Sequence, residues 1–473
     1  MAYKTVNPYT NEVVKEYPYA TQEQIESALS NANDLYNKWK LEVPQSRAKQ
    51  LHEIADLMRQ NSDDLAKTMV TDMGKLLREA KGEVELCAMI ADYFADHGAE
   101  LLKTKKLETI ATGDAQVKKH PLGTLLMVEP WNFPYYQIMR VFAPNFMVGN
   151  PMLLKHAAIT PGSALAFEKI VKDSSAPDAS LTNLFLNYDQ VSDVIADPRI
   201  QGVALTGSER GGRSVAKAAG FNLKKNTMEL GGTDSFIVLD DADIDEVTKI
   251  AWRARLYNAG QVCTSSKRFI VADNLYDQFV AKLKENFAKG KPGDPMDNQT
   301  TLAPMNSEKA KDKLQSQVDE AIEKGATLAY GNEPVDLSGQ FFQPTILTDI
   351  KPDNPAYSEE MFGPVAQVYK VSSEQEAIDL ANDSDLGLGG IVFSGDPKRG
   401  EKVASKIETG MVFVNNFMVS LPELPFGGVK NSGYGREMSD LGLNAFVNEQ
   451  LIVTATKPNM DNLAGGLVAT DPE

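Results

Sequence analysis

The sequence predicts an α/β fold in which helices cover both faces of parallel β-sheets. Short apolar runs alternate along the chain with segments whose apolar residues recur at helical spacing, and this alternation is typical of a parallel sheet flanked by helices. The chain has 473 residues, of which 42% are hydrophobic and 24% charged. That length allows two or three domains, and the composition is that of a globular protein with a substantial core.

The N-terminal part, residues 21–101, predicts helices. Thr21 is a suitable N-cap for the first of them, and the apolar residues that follow recur at helical spacing. The pattern then changes. Residues 109–117 predict two short strands around the turn Gly113-Asp114, and residues 123–128 predict another strand.

The rest of the chain alternates between strands and helices. Strands are predicted at 151–155, 184–186, 202–205 and 236–239, and helices at 163–171, 190–196 and 211–219. A second alternating region spans about 243–413, and a last strand is expected at 451–456. The chain shows neither an internal repeat nor a Gly/Ser-rich linker that would mark a domain boundary.

Charge and cysteine content exclude several classes of function. The 48 Lys and Arg residues against 65 Asp and Glu residues give a formal net charge of −17. Such a chain lacks the basic surface that nucleic acid or an anionic membrane requires, and its apolar runs are too short to span a bilayer. Two cysteines, no recognisable signal peptide and four scattered histidines lead us to expect a cytoplasmic protein without a disulfide framework or a metal site.

A glycine-rich turn follows the strand predicted at 202–205. Gly207, Ser208 and Gly212 stand between that strand and a helix, so that backbone N–H groups and the helix N-terminus can face an anion. The spacing is not the GxGxxG pattern of dinucleotide-binding folds. A tight structural turn therefore remains an alternative.

Three further motifs contain reactive or polarising groups. Cys263 lies in a Gly-Gln loop, the kind of polar surrounding that a low-pKa nucleophile needs, whereas Cys87 lies on a helical stripe and is expected to be buried packing. Glu229 precedes a pair of glycines and is either a solvated carboxylate or a positioned base. Asn132 is flanked by Pro130 and Pro134, which would hold its amide as a preorganised donor or simply form a rigid turn.

The order of these motifs resembles the aldehyde dehydrogenase superfamily over almost the whole chain. The matching segments are 72–75 with 79–80, 154–155 before 160–161, 359–365 and 425–437. Within the superfamily, residues 258–268 (NAGQVCTSSKR), residues 236–243 and the short N-terminus are most similar to bacterial succinate-semialdehyde dehydrogenases.

The resemblance implies a covalent mechanism with three catalytic residues. Cys263 would attack the aldehyde, and the thioester left after hydride transfer would be hydrolysed by water that Glu229 activates. The Asn132 amide and the Cys263 backbone N–H would stabilise the oxyanion. Because Glu229 is present, water rather than coenzyme A is the expected acyl acceptor.

The resemblance also assigns the cofactor site. The expected cofactor-binding residues are Trp131, Lys155, Ala158, Gly207, Ser208, Gly212, Leu230, Glu360 and Phe362. A Glu three residues after Lys155 would repel a 2′-phosphate, and the chain has Ala158 there. NADP is therefore favoured, and NAD remains possible.

Substrate recognition is expected to involve a carboxylate. Relatives that act on succinate semialdehyde carry an Arg eight residues after the Asn, and Arg140 stands at that position, although a surface or inter-helix ion pair is the alternative. Tyr257, Ser420 and Phe426 would complete the pocket. Glutarate semialdehyde, lactaldehyde or an aliphatic aldehyde are alternative substrates, and a non-catalytic relative that keeps the fold is a further alternative.

The resemblance finally implies three structural parts. Residues 1–103 and 122–231 would form a Rossmann-like cofactor domain, and 232–441 an α/β catalytic domain. Residues 104–121 and 442–473 would form a small β oligomerisation element. Since its edge strand would otherwise be exposed, a homodimer or homotetramer is expected.

Overall fold

The computed structural model describes residues 3–42, 44–109 and 113–457. The helices are Gln22–Trp39 (α1), Gln45–Gln60 (α2), Ser62–Met73 (α3), Leu77–Leu101 (α4), Pro134–Val148 (α5), Pro161–Asp173 (α6), Tyr188–Ala196 (α7), Glu209–Phe221 (α8), Ile244–Leu256 (α9), Asp273–Phe287 (α10), Glu308–Glu323 (α11), Glu374–Asn382 (α12), Pro397–Ala404 (α13) and Ser439–Leu443 (α14). The strands are Tyr3–Val6 (β1), Val13–Tyr17 (β2), Lys105–Leu107 (β3), Asp114–Pro121 (β4), Thr124–Val128 (β5), Met152–Lys155 (β6), Leu181–Asn183 (β7), Ile200–Thr206 (β8), Lys225–Glu229 (β9), Ser235–Val238 (β10), Arg268–Ala272 (β11), Thr327–Tyr330 (β12), Thr345–Thr348 (β13), Val365–Val371 (β14), Leu386–Gly387 (β15), Gly389–Phe393 (β16), Met411–Val414 (β17), Val429–Lys430 (β18), Gly433–Tyr434 (β19) and Val447–Thr454 (β20).

Two large sheets dominate the architecture. The first has the order β19-β9-β8-β5-β6-β7, and the second has the order β12-β13-β14-β11-β10-β16-β17. Neighbouring strands are parallel except at one edge of each sheet, where β19 pairs antiparallel with β9 and β12 pairs antiparallel with β13. A separate antiparallel sheet joins β20, β4 and β3.

Both faces of each large sheet are buried. In β5, Leu125 and Met127 belong to one hydrophobic cluster and Leu126 to another. In β10, Phe236 and Ile237 likewise point to different clusters. Because successive side chains in a strand point to opposite faces, helices must cover both faces, and the predicted α/β class is confirmed.

The predicted N-terminal helices are present as α1 to α4. Thr21 caps α1, with the Thr21 side chain accepting from the Gln24 N–H and the Gln24 side chain accepting from the Thr21 N–H. Cys87 is completely buried in α4, as expected for packing. None of the helices in the described ranges is both long and apolar enough to cross a membrane.

Two predicted strands differ from the structure. The strand expected at 184–186 lies earlier, at Leu181–Asn183. Leu184 and Leu186 are buried in the hydrophobic cluster that includes residues of α1, and they are not part of a strand. The hairpin expected at 109–117 has its first strand at Lys105–Leu107 instead. Residues 110–112, which the prediction included, lie outside the described residues.

The strand order of the first sheet determines where the site lies. The chain runs from β5 through β6 to β7 on one side, then returns to place β8 and β9 on the other side of β5. In such a sheet, ligands bind at the carboxyl ends of the strands where the order reverses. The loops after β5, β6 and β8 therefore share one crevice, and the loop before β11, which contains Cys263, belongs to the amino edge of the second sheet.

Candidate active site

The N-terminus of α8 opens toward the crevice. Ser208 caps this helix, its Oγ accepting from the Gly211 N–H at 3.3 Å. The Gly207 N–H donates to the Glu229 carbonyl at 2.9 Å, which ties the turn to the end of β9. A Cβ on Gly212 would lie 2.7 Å from both Leu230 methyl groups, so a glycine is needed for α8 to pack this closely. The turn is suited to a pyrophosphate.

Lys155 ends β6 at the same edge. Among the described residues it makes neither a hydrogen bond nor an ion pair, and its Nζ lies 5.7 Å from the centre of the Tyr3 ring. Burial lowers the pKa of Lys155 to about 8. Ala158 follows three residues later, its carbonyl accepting from the Lys4 N–H at 3.0 Å. A largely buried cation without a counter-ion fits an anionic group of a ligand.

The other end of the crevice is aromatic and acidic. Trp131 and Phe362 form an edge-to-face pair with ring centroids 5.8 Å apart. Glu360 Oε1 accepts from the Gly232 N–H at 3.1 Å and lies 3.1 Å from Lys267 Nζ. The structure thus brings together all the expected cofactor residues along one edge of the first sheet.

Asn132 links this crevice to the loop of Cys263. Its Nδ2 donates to the Gln261 carbonyl at 3.1 Å, and its own carbonyl accepts from Asn258 Nδ2 at 2.9 Å. Gln137 Nε2 donates to Asn132 Oδ1 at 3.4 Å. The side-chain amide is buried and is held by two of these hydrogen bonds, one at Nδ2 and one at Oδ1, so its position is set before any ligand arrives.

Cys263 lines a cavity of about 310 Å³. The lining residues are Leu86, Phe133, Tyr136, Gln137, Ala254, Tyr257, Val262, Cys263, Thr264, Ser265, Ser266, Ile391, Phe417, Met418, Val419, Ser420, Leu421 and Phe426. Tyr257, Ser420 and Phe426, which were predicted to contact substrate, are among them. Burial raises the pKa of the Cys263 thiol to about 11, against the opposing effect of Arg140 and Lys267.

Glu229 ends β9 as a buried carboxyl. Neither of its oxygens has a hydrogen-bond partner among the described residues. Burial raises the pKa of Glu229 well above its usual range, and the neighbouring Glu437 adds to this effect while Arg140 opposes it. A carboxyl whose pKa is raised in this way binds a proton more readily than a solvated carboxyl does, and proton uptake is what a general base requires.

Arg140 is placed differently from the prediction. It is completely buried in α5 and forms an ion pair with Glu437. Its Nη2 donates to Thr206 Oγ1 at 3.1 Å, and its guanidinium lies 4.2 Å from the centre of the Phe426 ring. Phe426 therefore separates Arg140 from the cavity, and this geometry does not support direct contact with a substrate carboxylate.

Three residues at the site were not assigned a role from the sequence. Glu437 lies in the matching segment 425–437 but has a partner, Arg140, that is 297 positions away. Tyr136 lines the cavity, and its hydroxyl accepts from Arg140 Nη1 at 3.5 Å. Lys267 follows the loop of Cys263 and directly precedes the buried strand β11. This position next to a buried strand is the local feature of the sequence that could have indicated that Lys267 is buried.

The crevice thus has the features of a dinucleotide site, and the neighbouring cavity has the Cys263 thiol in its wall. The sequence profile of the aldehyde dehydrogenase family matches residues 1–452, and the chain belongs to this family. Among curated relatives, the succinate-semialdehyde dehydrogenase [NADP(+)] of Deinococcus radiodurans is 48% identical over 464 residues, which are 98% of this chain and 97% of that protein. The enzyme of the same name from Mycobacterium avium is 39% identical, with 98% and 99% coverage.

Solved structures give the same result. The crystal structure of succinic semialdehyde dehydrogenase from Streptococcus pyogenes, in complex with NADP+ as the cofactor, is similar with a TM-score of 0.95 and 56% sequence identity. The match covers 96% of this chain and 100% of that one. A succinate-semialdehyde dehydrogenase from Burkholderia pseudomallei is similar with a TM-score of 0.93 and 34% identity, covering 96% and 95% of the two chains.

Proposed function

We propose that this protein oxidises succinate semialdehyde to succinate with NADP+, through a thioester on Cys263. The observation that carries the proposal is the placement of Cys263 in the wall of a cavity that adjoins the dinucleotide crevice. The names of the relatives from Deinococcus radiodurans and Streptococcus pyogenes support the choice of substrate and cofactor.

The chemistry begins at the sulfur atom. The Cys263 thiolate attacks the aldehyde carbon, and the resulting oxyanion is stabilised by the second N–H of the Asn132 amide together with the Cys263 backbone N–H. NADP held by the residues of the crevice would supply the acceptor for the hydride that leaves the tetrahedral carbon. Glu229 then removes a proton from the water that attacks the thioester, and the carboxylic acid leaves as Cys263 is restored.

The residues of the crevice fit NADP. The α8 N-terminus with Gly207 and Ser208 would hold the pyrophosphate, and Lys155 would face the adenosine ribose. Ala158 presents a methyl group where a carboxylate would repel a 2′-phosphate, and the Lys155 charge has no counter-ion among the described residues. Trp131, Glu360 and Phe362 would surround the nicotinamide ribose and ring.

The cavity would hold the substrate tail through hydroxyl groups. Its lining contains no charged side chain among the described residues, but Tyr136, Tyr257 and Ser420 contribute hydroxyls. Arg140 Nη1 donates to the Tyr136 hydroxyl at 3.5 Å, which leaves the Tyr136 proton free to donate to a carboxylate. We therefore assign Arg140 as a positioning residue that acts through Tyr136.

The lack of a cation in the lining also favours a second candidate substrate, a neutral aliphatic aldehyde. Succinate semialdehyde and butanal have the same number of carbon atoms and differ in the terminal carboxylate, so comparing their kcat/KM values decides between them. We expect succinate semialdehyde to be preferred by about tenfold or more. Equal values for the two aldehydes would contradict the proposed substrate.

The covalent step has its own test. Cys263→Ser should lower turnover by at least about 10³-fold, whereas Cys87→Ser, at the other cysteine, should keep it. Protein quenched during turnover should carry an acyl mass on the peptide that contains Cys263. Undiminished turnover in Cys263→Ser would rule out the thioester mechanism.

We also propose that the chain forms a homodimer or homotetramer through the sheet of β20, β4 and β3. In β20, Leu451 and Val453 are 60% and 45% exposed. Among the described strands, β20 pairs with β4 alone, and β17 likewise has one neighbour, β16. Open edges with apolar side chains are favourable places for pairing with a second copy.

A further inference from the structure

A buried lysine, Lys267, lies between Glu360 and the loop before β11 that contains Cys263, which we call the nucleophile loop. Lys267 is 1% exposed, and three acceptors lie within 3.1 Å of its ammonium nitrogen, with the Ser265 carbonyl farther away at 3.5 Å. It donates to the Cys263 carbonyl at 2.7 Å and to the Val262 carbonyl at 3.0 Å, and its third contact is Glu360 Oε1 at 3.1 Å. An ammonium has three N–H groups, so these contacts satisfy it completely.

The same ammonium has a second acidic neighbour. Asp234 is buried, and neither of its oxygens has a hydrogen-bond partner among the described residues. The Lys267 backbone N–H donates to the Asp234 carbonyl at 3.0 Å. A Cβ on Gly232 would lie 2.7 Å from Asp234 Oδ1 and 2.8 Å from the Cys263 carbonyl oxygen. The Asp234 carboxyl and the Cys263 carbonyl therefore both lie next to Gly232.

We propose that Lys267 is a positioning residue for Cys263: its ammonium fixes the main chain of the nucleophile loop, stabilises the thiolate and ties both to Glu360. The inference rests on the proposed role of Cys263 as nucleophile. It assigns to one side chain the connection between the reacting sulfur and the carboxylate expected to hold the nicotinamide ribose.

The charges around the sulfur atom agree with this role. The charged groups that act on the Cys263 thiol are two cations, Arg140 and Lys267, and two carboxyls, Asp234 and Glu360. Arg140 is paired with Glu437, whereas Lys267 directly contacts the Cys263 main chain. A buried positive charge at this position favours the thiolate over the thiol.

A purely structural role is the alternative, and Arg255 shows what such a role looks like. Arg255 joins the same two segments through neutral partners, donating to Ser265 Oγ at 2.7 Å and to the Met361 carbonyl at 2.6 Å. The hydrogen bonds of Arg255 therefore already connect the nucleophile loop to the segment that contains Glu360. What Lys267 adds is a charge in contact with Cys263 and paired with an acidic side chain.

The test is the pH dependence of Cys263 alkylation by iodoacetamide, measured on the whole protein without substrate or cofactor. We expect K267M to move the alkylation midpoint to higher pH, and K267R to restore it in large part. A midpoint that rises by about one pH unit lowers the alkylation rate about tenfold at any pH well below the wild-type midpoint. D234N should move the midpoint to lower pH, because it removes an opposing negative charge. K75M is the matched control, since Lys75 is also buried and ion-paired, with Glu83.

Each outcome decides the proposal. Opposite shifts in K267M and D234N, with no shift in K75M, support it. A folded K267M whose midpoint equals that of the wild type overturns it, and a fall in melting temperature without a shift shows a structural role only. If K267M does not fold, the uncharged K267Q replaces it, and an unshifted midpoint in K267Q overturns the proposal. Turnover by Cys263→Ser would refute the proposed function instead, because alkylation is measured without turnover.

Discussion

Glu229 combines burial, unpaired oxygens and an acidic neighbour, and its role can be tested through the kinetics of one step. Glu229→Gln keeps the size of the side chain but cannot take a proton. We expect a first burst of NADPH to persist while steady-state turnover falls by about 10²- to 10⁴-fold, since thioester hydrolysis then limits the rate. Stopped-flow absorbance measures both phases. Loss of the burst itself would place Glu229 in the attack step.

The pH profile offers a second test of Glu229. Its pKa is raised by burial and by Glu437, so the carboxylate form becomes more populated as pH rises. Wild-type turnover should therefore increase with pH, and this increase should be absent from Glu229→Gln. Steady-state rates across the pH range, with melting temperature recorded at each pH, check this expectation.

Lys155 predicts how cofactor preference depends on pH. Its pKa is lowered to about 8, so the side chain is charged below that pH and neutral above it. As pH rises through about 8, KM for NADP+ should rise while KM for NAD+ changes little, because NAD+ has no 2′-phosphate. Lys155→Met should remove the preference at every pH. A constant ratio of the two KM values would contradict the assignment.

At the scale of single elements, the short strand β19 holds the end of β9 in place. Gly433 pairs with Glu229 and has φ +109°, and a Cβ there would overlap the Met228 carbonyl oxygen. Gly433→Ala should cost about 1–3 kcal/mol for the backbone alone. The variant should therefore melt at a lower temperature and lose turnover by displacing Glu229.

A second glycine provides the control for this variant. Gly82 lies in α4, where a Cβ would meet nothing within 4 Å. Gly82→Ala should be neutral or stabilise the protein by about 0.5–1 kcal/mol, because alanine favours a helix. Thermal unfolding and kcat measured on both variants separate a local clash from a general effect of added methyl groups.

At the scale of the whole molecule, β20 carries the proposed assembly. Leu451→Asp combined with Val453→Asp introduces two like charges on an open edge, so we expect a smaller particle by light scattering. Leu41→Asp is the control, since Leu41 is 83% exposed and lies after α1. An unchanged particle size in the double variant would show that β20 is not the interface.

The strand order determines where the crevice and the loop of Cys263 lie. The crevice forms where the order of the first sheet reverses at β5, and the nucleophile loop comes from the amino edge of the second sheet. β19, at residues 433–434, joins the first sheet although its segment was assigned to the catalytic part of the chain. A catalytic part proposed at residues 232–441 therefore includes one strand, β19, that belongs to the first sheet.

Local patterns in the sequence were sufficient for the elements and for the order of the motifs. The Thr21 cap, the buried strand at β10 and the turn at Ser208 depend on neighbours a few residues away, and each was predicted correctly. Apolar spacing was insufficient to locate the strand near 184–186. Residues that are buried by side-chain packing and residues that pair in a β-ladder are both apolar, so the sequence pattern does not distinguish them.

Local patterns along the chain were enough to predict the α/β framework and to propose which side chains react. Which charged groups meet became visible only in the folded chain. Arg140 was expected to face substrate and instead pairs with Glu437, and Lys267 contacts both Cys263 and Glu360. The physical reason is that a buried charge is stable only beside a partner, and these partners come from distant parts of the chain.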